Sequence, residues 1–320
     1  MTMTSTNDTR FCTEQINSFI ERQLAEWPVA ATNFARLRDV KRKGLTIGAL
    51  EIGIQFNPAR IISTGAKIDT ASIKQRPCFL CASNRDKLQF ALDFIDQWEL
   101  LLNPFPIFPV HFTVAHKNHQ LQGTIPLDMA SMAEKASDLT LFYNGAHAGA
   151  SAPDHQHAQA VLTSELPLMR LTEKTHTSDS SSLMFSEETG LDLPFHYVSM
   201  VITPDPEGYR LLQRASEAFG VDALTKSPDC GLLNAYFWMD NRGLLRIVII
   251  PRKRHRPACY GTADEHEFLI SPGAIDMAGI IITPRQSDYD KITAQDVRNI
   301  YADVAFADRL DESIIRHFKS

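Results

Sequence analysis

Apolar and polar positions follow more than one rhythm along this chain. Near the N-terminus, in NDTRFCTEQINSFIERQLAEW, Phe11, Ile16, Phe19, Ile20 and Leu24 recur near a 3.6-residue period, which predicts a helix that Pro28 interrupts. From Leu45 the texture changes. LTIGALEIGIQF and ARIISTGAKI read as strands on either side of the turn pair Asn57–Pro58, and FPVHFTVAH reads as another. LDMASMAEKASDL has the period of a short helix, and LTLFYN runs as a strand into the small-residue stretch GAHAGASAP. The Ser/Thr-rich run TEKTHTSDSSSLMFSEETG, within 166–195, predicts a linker or mobile loop. Beyond it FHYVSMVITP reads as a strand and EGYRLLQRASEAFGVDAL as a helix. NAYFWM, LLRIVIIP and AGIIITP read as three further strands, and the tail from about Thr293 to Phe318 as helix.

These elements alternate without a strict βαβ rhythm, and no Gly-rich dinucleotide fingerprint follows the first strand. The expected fold class is α+β, with antiparallel sheets and flanking helices. A faint internal echo points to two fused halves. Aligned on Thr163 and Thr283, SAPDHQHAQAVLT meets SPGAIDMAGIIIT, with His157 opposite Met277 and Gln159 opposite Gly279. The expected division is therefore 1–165 with the chemistry, 166–195 as the connection, and 196–320 as a degenerate second half.

Composition narrows the partners. The 320 residues are 44% hydrophobic and 22% charged, enough to bury a sizeable core. The net charge of −6 and the scattered basic residues disfavour a nucleic-acid polymer, while leaving room for a small nucleotide. No apolar run approaches the roughly 20 residues that span a bilayer, and MTMTSTNDTR lacks an apolar signal core. A cytoplasmic protein without a membrane partner is expected. The odd set Cys12, Cys78, Cys81, Cys230 and Cys259 fits reduced thiols.

Three segments carry candidate chemistry. In Asp154-His155-Gln156-His157-Ala158-Gln159, an extended backbone puts His155, His157 and Gln159 on one face and Gln156, Ala158 and Ala160 on the other. A bare H-x-H is more often an exposed strand. Here Gly145, Gly149, Ala150 and Ser151 precede it, keep the approach open and let backbone N–H groups near a phosphate. In Arg76-Pro77-Cys78-Phe79-Leu80-Cys81, the C-x-x-C spacing lets two thiolates grip one zinc, which then needs two more ligands. His155 is one candidate; the other is among His111, His116 and His119. A redox pair, or two thiols packed as small hydrophobes, are the rival readings. The third segment, Arg252-Lys253-Arg254-His255-Arg256, can neutralise a polyphosphate but is more often a solvated turn, with Arg60 and Lys67 weaker candidates of the same kind.

NGAHAGASAPDHQHAQ resembles the H-x-H-x-Q signature of the histidine-triad (HIT) superfamily, in its transferase branch of uridylyltransferases and dinucleoside-polyphosphate or GDP-hexose phosphorylases. RPCFLCASNR is similar to the zinc-binding segment of the uridylyltransferases, and SPGAIDMAGIIITPR to the C-terminal part of the phosphorylases. The resemblance implies that His157 attacks the α-phosphorus and Gln159 holds the phosphoryl oxygens. It implies zinc on Cys78, Cys81, His116 and His155, and phosphate or nucleotide contacts from Asn84, Arg85, Asn144, Gly149 and Ser151. Asp154, inserted after Pro153, departs from the uridylyltransferases and points away from galactose 1-phosphate. The implied enzyme is a nucleotidyltransferase or phosphorylase. Its donor would be a nucleoside diphosphate-sugar or dinucleoside polyphosphate, its acceptor inorganic phosphate or a sugar phosphate, and its state a monomer or homodimer. The alternatives are a zinc-stabilised nucleotide-binding module without turnover and a nucleotide hydrolase; a glutamine in place of a third histidine speaks against the hydrolase.

Overall fold

The computed structural model describes residues 11–65, 72–73, 75–123, 125–126, 128–219, 232–310 and 312. Lys67, Cys230 and the end of the chain after 312 lie outside them. The N-terminal periodicity becomes the helix Thr13–Glu26, and Pro28 opens a second helix, Pro28–Ala35, at the position where its missing N–H costs nothing. Strands β1 (Lys41–Ile47) and β2 (Leu50–Phe56) form a hairpin with Ile47 opposite Leu50. Its turn needs Gly48, which has φ +57°, and a Cβ there would lie 1.9 Å from the Asp192 carbonyl oxygen. The strand expected in ARIISTGAKI does not form over its described residues, 59–65. Pro58 starts a helical turn instead, Pro58–Arg60, continued by Ile61–Thr64, as its fixed φ favours.

The remaining strands are β3 (Ala91–Ile95), β4 (Trp98–Leu102), β5 (His111–His116), β6 (Leu139–Asn144), β7 (His157–Leu162), β8 (Ser182–Phe185), β9 (Val198–Ile202), β10 (Leu233–Met239), β11 (Leu245–Pro251) and β12 (Ile280–Thr283). Nine make one antiparallel sheet in the order β3-β4-β5-β7-β6-β10-β11-β9-β8; β12 joins the β1–β2 hairpin in a separate sheet, parallel to β2. Alternation divides the large sheet's side chains between two cores. Phe112, Val114, Leu141, Ala158, Ala160, Phe237 and Ile247 face the helices Thr13–Glu26 and Asp128–Lys135. Phe142, Val161, Tyr236, Trp238 and Val248 face the small sheet and the helix Ala294–Val304.

The sheet contains a repeat. In both halves two strands, a helix and two more strands follow in sequence, and the fourth strand lies between the second and third: β4-β5-β7-β6 is matched by β8-β9-β11-β10. The antiparallel pair β6–β10 joins the halves. The fold is therefore α+β with two fused halves, but the sequence alignment that marked the repeat is corrected. The partner of β7 is β11, whereas β12, onto which that alignment placed the HQHAQ strand, belongs to the other sheet. Segment 166–195 is also more than a connection. It holds the helix Pro167–Thr175 and β8, the edge strand of the second half, because Leu168, Met169 and Phe185 are buried. Among the described residues no helix is long and apolar enough to cross a membrane.

Candidate active site

Because Ala158 and Ala160 look into the first core, His157 and Gln159 look the other way, toward the small sheet. His157 is held at both ends of its peptide by Gln122. The Gln122 Oε1 accepts the His157 N–H at 2.8 Å, and its Nε2 donates to the His157 carbonyl at 3.0 Å and to the Asn144 carbonyl at 2.7 Å. The imidazole Nδ1 sits 2.8 Å from the His155 carbonyl oxygen and must donate to it, so the proton is on Nδ1 and the lone pair on Nε2. Among the described residues no hydrogen-bond partner meets Nε2. Burial lowers the His157 pKa to about 4, so the ring is neutral near pH 7.

His157 borders a cavity of about 630 Å³ walled by Trp27, Phe79, Leu80 and Phe105 on its apolar side and by Arg60, Arg76 and Arg85 on its charged side. A second, polar cavity of about 80 Å³ adjoins it, lined by Asn144, Gly149, His255, Arg256, Ser271 and Gly273. Arg60, Ser151 and Gln159 line both and so stand at their junction. The Arg60 guanidinium donates to the Phe105 carbonyl at 2.7 Å, while its buried Nε has no partner among the described residues. Burial lowers its pKa to about 10, against the opposing pull of the Asp276 charge, which leaves it cationic at neutral pH.

The small cavity is built by close backbone approach. Gly149 has φ +96°, and a Cβ on it would lie 2.5 Å from the Gly273 Cα. The Asn144 Oδ1 accepts from the Ala274 N–H at 2.7 Å and the Asn234 amide at 3.1 Å, tying β6 to the segment 272–276. The Gly149 N–H donates to the His255 Nδ1 at 3.3 Å; burial, then the charges of Arg256 and Arg252, hold that ring neutral with its pKa lowered to about 3. The basic run read as a turn is thus divided. Lys253 and Arg254 are exposed, whereas Arg252 is buried and donates to the Asn234 side chain and the Pro272 and Val304 carbonyls. His255 and Arg256 reach the cavity, and Arg256 stacks 4.2 Å over the Tyr260 ring.

Just before β7 begins, at His155, the two cysteines meet two histidines. The Cys78 Sγ is 3.3 Å from the His155 Nδ1, the Cys81 Sγ 3.2 Å from the His119 Nδ1, and the donor atoms of all four lie within 4.8 Å of one another. Zinc bonds of about 2.3 Å to sulfur and about 2.05 Å to nitrogen give a tetrahedral S–N edge of about 3.6 Å, so the spacing fits such an ion. The His155 Nε2 donates to the His116 carbonyl at 2.7 Å, which leaves Nδ1 as the ligating nitrogen. The fourth side chain that could hold such an ion is therefore His119; His116, the ligand implied by the family resemblance, is not in the cluster. The His116 side chain turns away at the end of β5; its Nδ1 accepts the Asn118 N–H at 3.1 Å and its ring lies edge-on to Trp98. Burial pushes the Cys78 thiol up to about 11, so only a cation would draw off its proton.

Asn84 and Arg85 border the larger cavity but spend their side chains on the cysteine loop. Asn84 donates to the Cys78 carbonyl at 3.0 Å, while Arg85 donates to the Leu80 carbonyl at 2.8 Å and pairs with buried Glu99. Sequence reasoning gave little weight to Arg60 and none to Gln122. Arg60 follows Asn57–Pro58, a turn signal that also aims it inward; Gln122 carries no local signal.

The comparisons meet this geometry at the level of the fold. Residues 19–162 match a family described as a domain of unknown function, DUF4922. No curated protein matches the chain. Among solved structures, yeast Ap4A phosphorylase Apa2 superposes with a TM-score of 0.55 at 15% identity, over 91% of this chain and 97% of that one. Its complex with Ap4A gives a TM-score of 0.57 at 14% identity and the same coverage, and its complex with AMP 0.55 at 14%, covering 89% and 97%. The chain shares the fold of that phosphorylase. That fold, α+β with antiparallel sheets as expected, extends over nearly the whole molecule.

Proposed function

We propose that this protein is a nucleotidyltransferase of the phosphorolytic kind, acting on a dinucleoside polyphosphate or, with the same chemistry, a nucleoside diphosphate-sugar. The observation that carries the reading is the His157 ring, with Nδ1 committed to a carbonyl and an Nε2 that meets no partner among the described residues, beside a nucleoside-sized cavity. The base and ribose occupy the larger cavity against Phe79, Leu80 and Phe105, and the phosphates lie at its junction with the small one. The Nε2 lone pair attacks the α-phosphorus; a P–N bond forms, and the P–O bond to the rest of the donor breaks, its electron pair leaving with the departing phosphate. The Nδ1 proton stays on the ring, donated to the His155 carbonyl, which favours the positive charge of the nucleotidylated ring. Arg60 and the Gln159 amide stand where the phosphoryl oxygens gather charge. An oxygen of inorganic phosphate, or of a sugar phosphate, then attacks the same phosphorus and returns the Nε2 electron pair. Gln159 is no base, so it stabilises charge without activating water.

A zinc ion on Cys78, Cys81, His119 and His155 would supply a cross-link and no electrophile. Those ligands fix the His155 backbone, and with it the carbonyl that sets the His157 tautomer. The shared fold of a yeast enzyme solved with Ap4A and with AMP supports the dinucleoside polyphosphate as donor.

The test uses Ap4A and GDP-sugar labelled at the α-phosphorus. Wild type is expected to retain label through denaturation in alkali and release it in acid, as a phosphoramidate does; His157→Ala retains none. Unlabelled wild type with every donor would overturn the covalent route.

A further inference from the structure

Behind Gln159 lies a histidine that this mechanism does not use. His111, on β5, is wholly buried and stands diagonally across the strand pair from Gln159; the register sets Thr113 opposite Gln159 and His111 opposite Val161. The backbone N–H of Ile107 donates to the His111 Nδ1 at 3.1 Å. That nitrogen is therefore an acceptor, and the ring proton must be on Nε2. The Nε2 in turn lies 2.8 Å from the Gln159 Oε1, a pair that only Nε2–H as donor can make. Asn103 Nδ2, 3.5 Å from the same Nε2, is left to the Thr113 hydroxyl at 3.4 Å. Burial, and then the Arg60 charge, lower the His111 pKa to about 3, so the ring keeps one neutral tautomer through the ordinary pH range.

We propose that His111 is a positioning residue that fixes which way round the Gln159 amide is bound. Its Nε2–H takes the amide oxygen, so the amide NH₂ is what Gln159 can offer to the two cavities it lines. Without this contact the amide turns over freely, and in half of its orientations it presents an oxygen to an anionic phosphoryl group. The polarity of the relay is set by one main-chain N–H, that of Ile107, four residues before β5 begins and at the wall of the small cavity. The inference deepens the phosphoryl-transfer reading and rests on it.

Two measurements test it. In steady-state phosphorolysis, His111→Phe is expected to lower kcat by about 10- to 100-fold with KM nearly unchanged. In a Gln159→Ala background the same substitution is expected to change kcat less than about twofold, because nothing is left to orient. An equal loss in both backgrounds would show a merely structural histidine, and no loss in either would remove its role. Nitrogen-15 spectra of histidine-labelled wild type supply the second arm, which needs neither turnover nor a folded variant. The His111 ring is expected as the Nε2–H tautomer at pH 7; an Nδ1–H tautomer or a mixture overturns the relay. If that tautomer is found but no donor labels the protein, the transfer reading fails while the hydrogen-bond relay stands.

Discussion

Strands β7 and β11 hold the same place in the two halves of the sheet, and they have opposite uses. On β7, His157 and Gln159 face a cavity, because the loop that precedes the strand runs through Gly149, Ala150 and Ser151, small residues that line the space beside them. On β11 the equivalent face carries Val248 and Ile250, packed in the second core with Trp238 and Tyr236. Its one charged residue, Arg246, is 2% exposed and locked between Asp240 at 2.8 Å and the His176 carbonyl. One strand position can therefore hold either an open polar face or a closed one. What lies over the strand decides which, since buried donors are tolerated only when paired or reserved for a ligand.

The comparison breaks first at His157. His157→Ala is expected to cut turnover at least about a thousandfold while leaving the melting temperature within a few degrees; turnover that survives would make β7 as inert as β11. Arg246→Met is the mirror experiment. Urea titration is expected to show a loss of about 2 kcal/mol, from removing one of the two guanidinium partners of Asp240 and the donor to the His176 carbonyl, with kcat per folded molecule unaltered. Gln159→Ala comes next, at about a hundredfold in kcat, with little change in stability. Purified protein should hold about one zinc per chain, and Cys78→Ser should remove it and lower the melting temperature by several degrees. Metal-free wild type of unchanged stability would detach the cluster from the β7 account.

The smallest effect concerns pH in the second half. His176, buried between Ser199 and Ser182, has its pKa lowered to about 4, first by burial and then by Arg246 and Arg242. Its unfolded form binds a proton near pH 6.5, so its contribution is complete above that pH and is lost as pH falls toward 4. His176→Asn should flatten the decline of stability between pH 6.5 and 5 by less than about 1 kcal/mol per unit. An equally steep decline would assign the proton uptake elsewhere.

The parts of the candidate site that lie within one stretch of chain were legible before any coordinates. The H-x-H-x-Q alternation and the C-x-x-C pair each depend on local geometry alone, and the structure places His157 and Gln159 on one face as an extended backbone requires. The partners that complete them come from elsewhere in the chain. His119 and His116 differ by three residues, and only the end of β5 decides which ring meets Cys81. His111 and Arg60 reach the site through pairing register and a helical turn that no spacing announces. The repeat was misaligned for a similar reason. AVLT and IIIT both follow small-residue loops, so they look alike as strings, while hydrogen bonding assigns β12 to the other sheet.

The contact between Gly149 and Gly273 has a consequence for how this protein can vary. Bare backbone from each half meets there, with no room for a methyl group, at the wall of the polar cavity. Loosening that seam would reshape the cavity wall at the same time, so on the proposed transfer reading the fusion of the halves and the choice of acceptor are under one constraint. On that reading, variation toward other acceptors is channelled to side chains such as Arg256 and Ser271, which line the same cavity without forming the glycine seam.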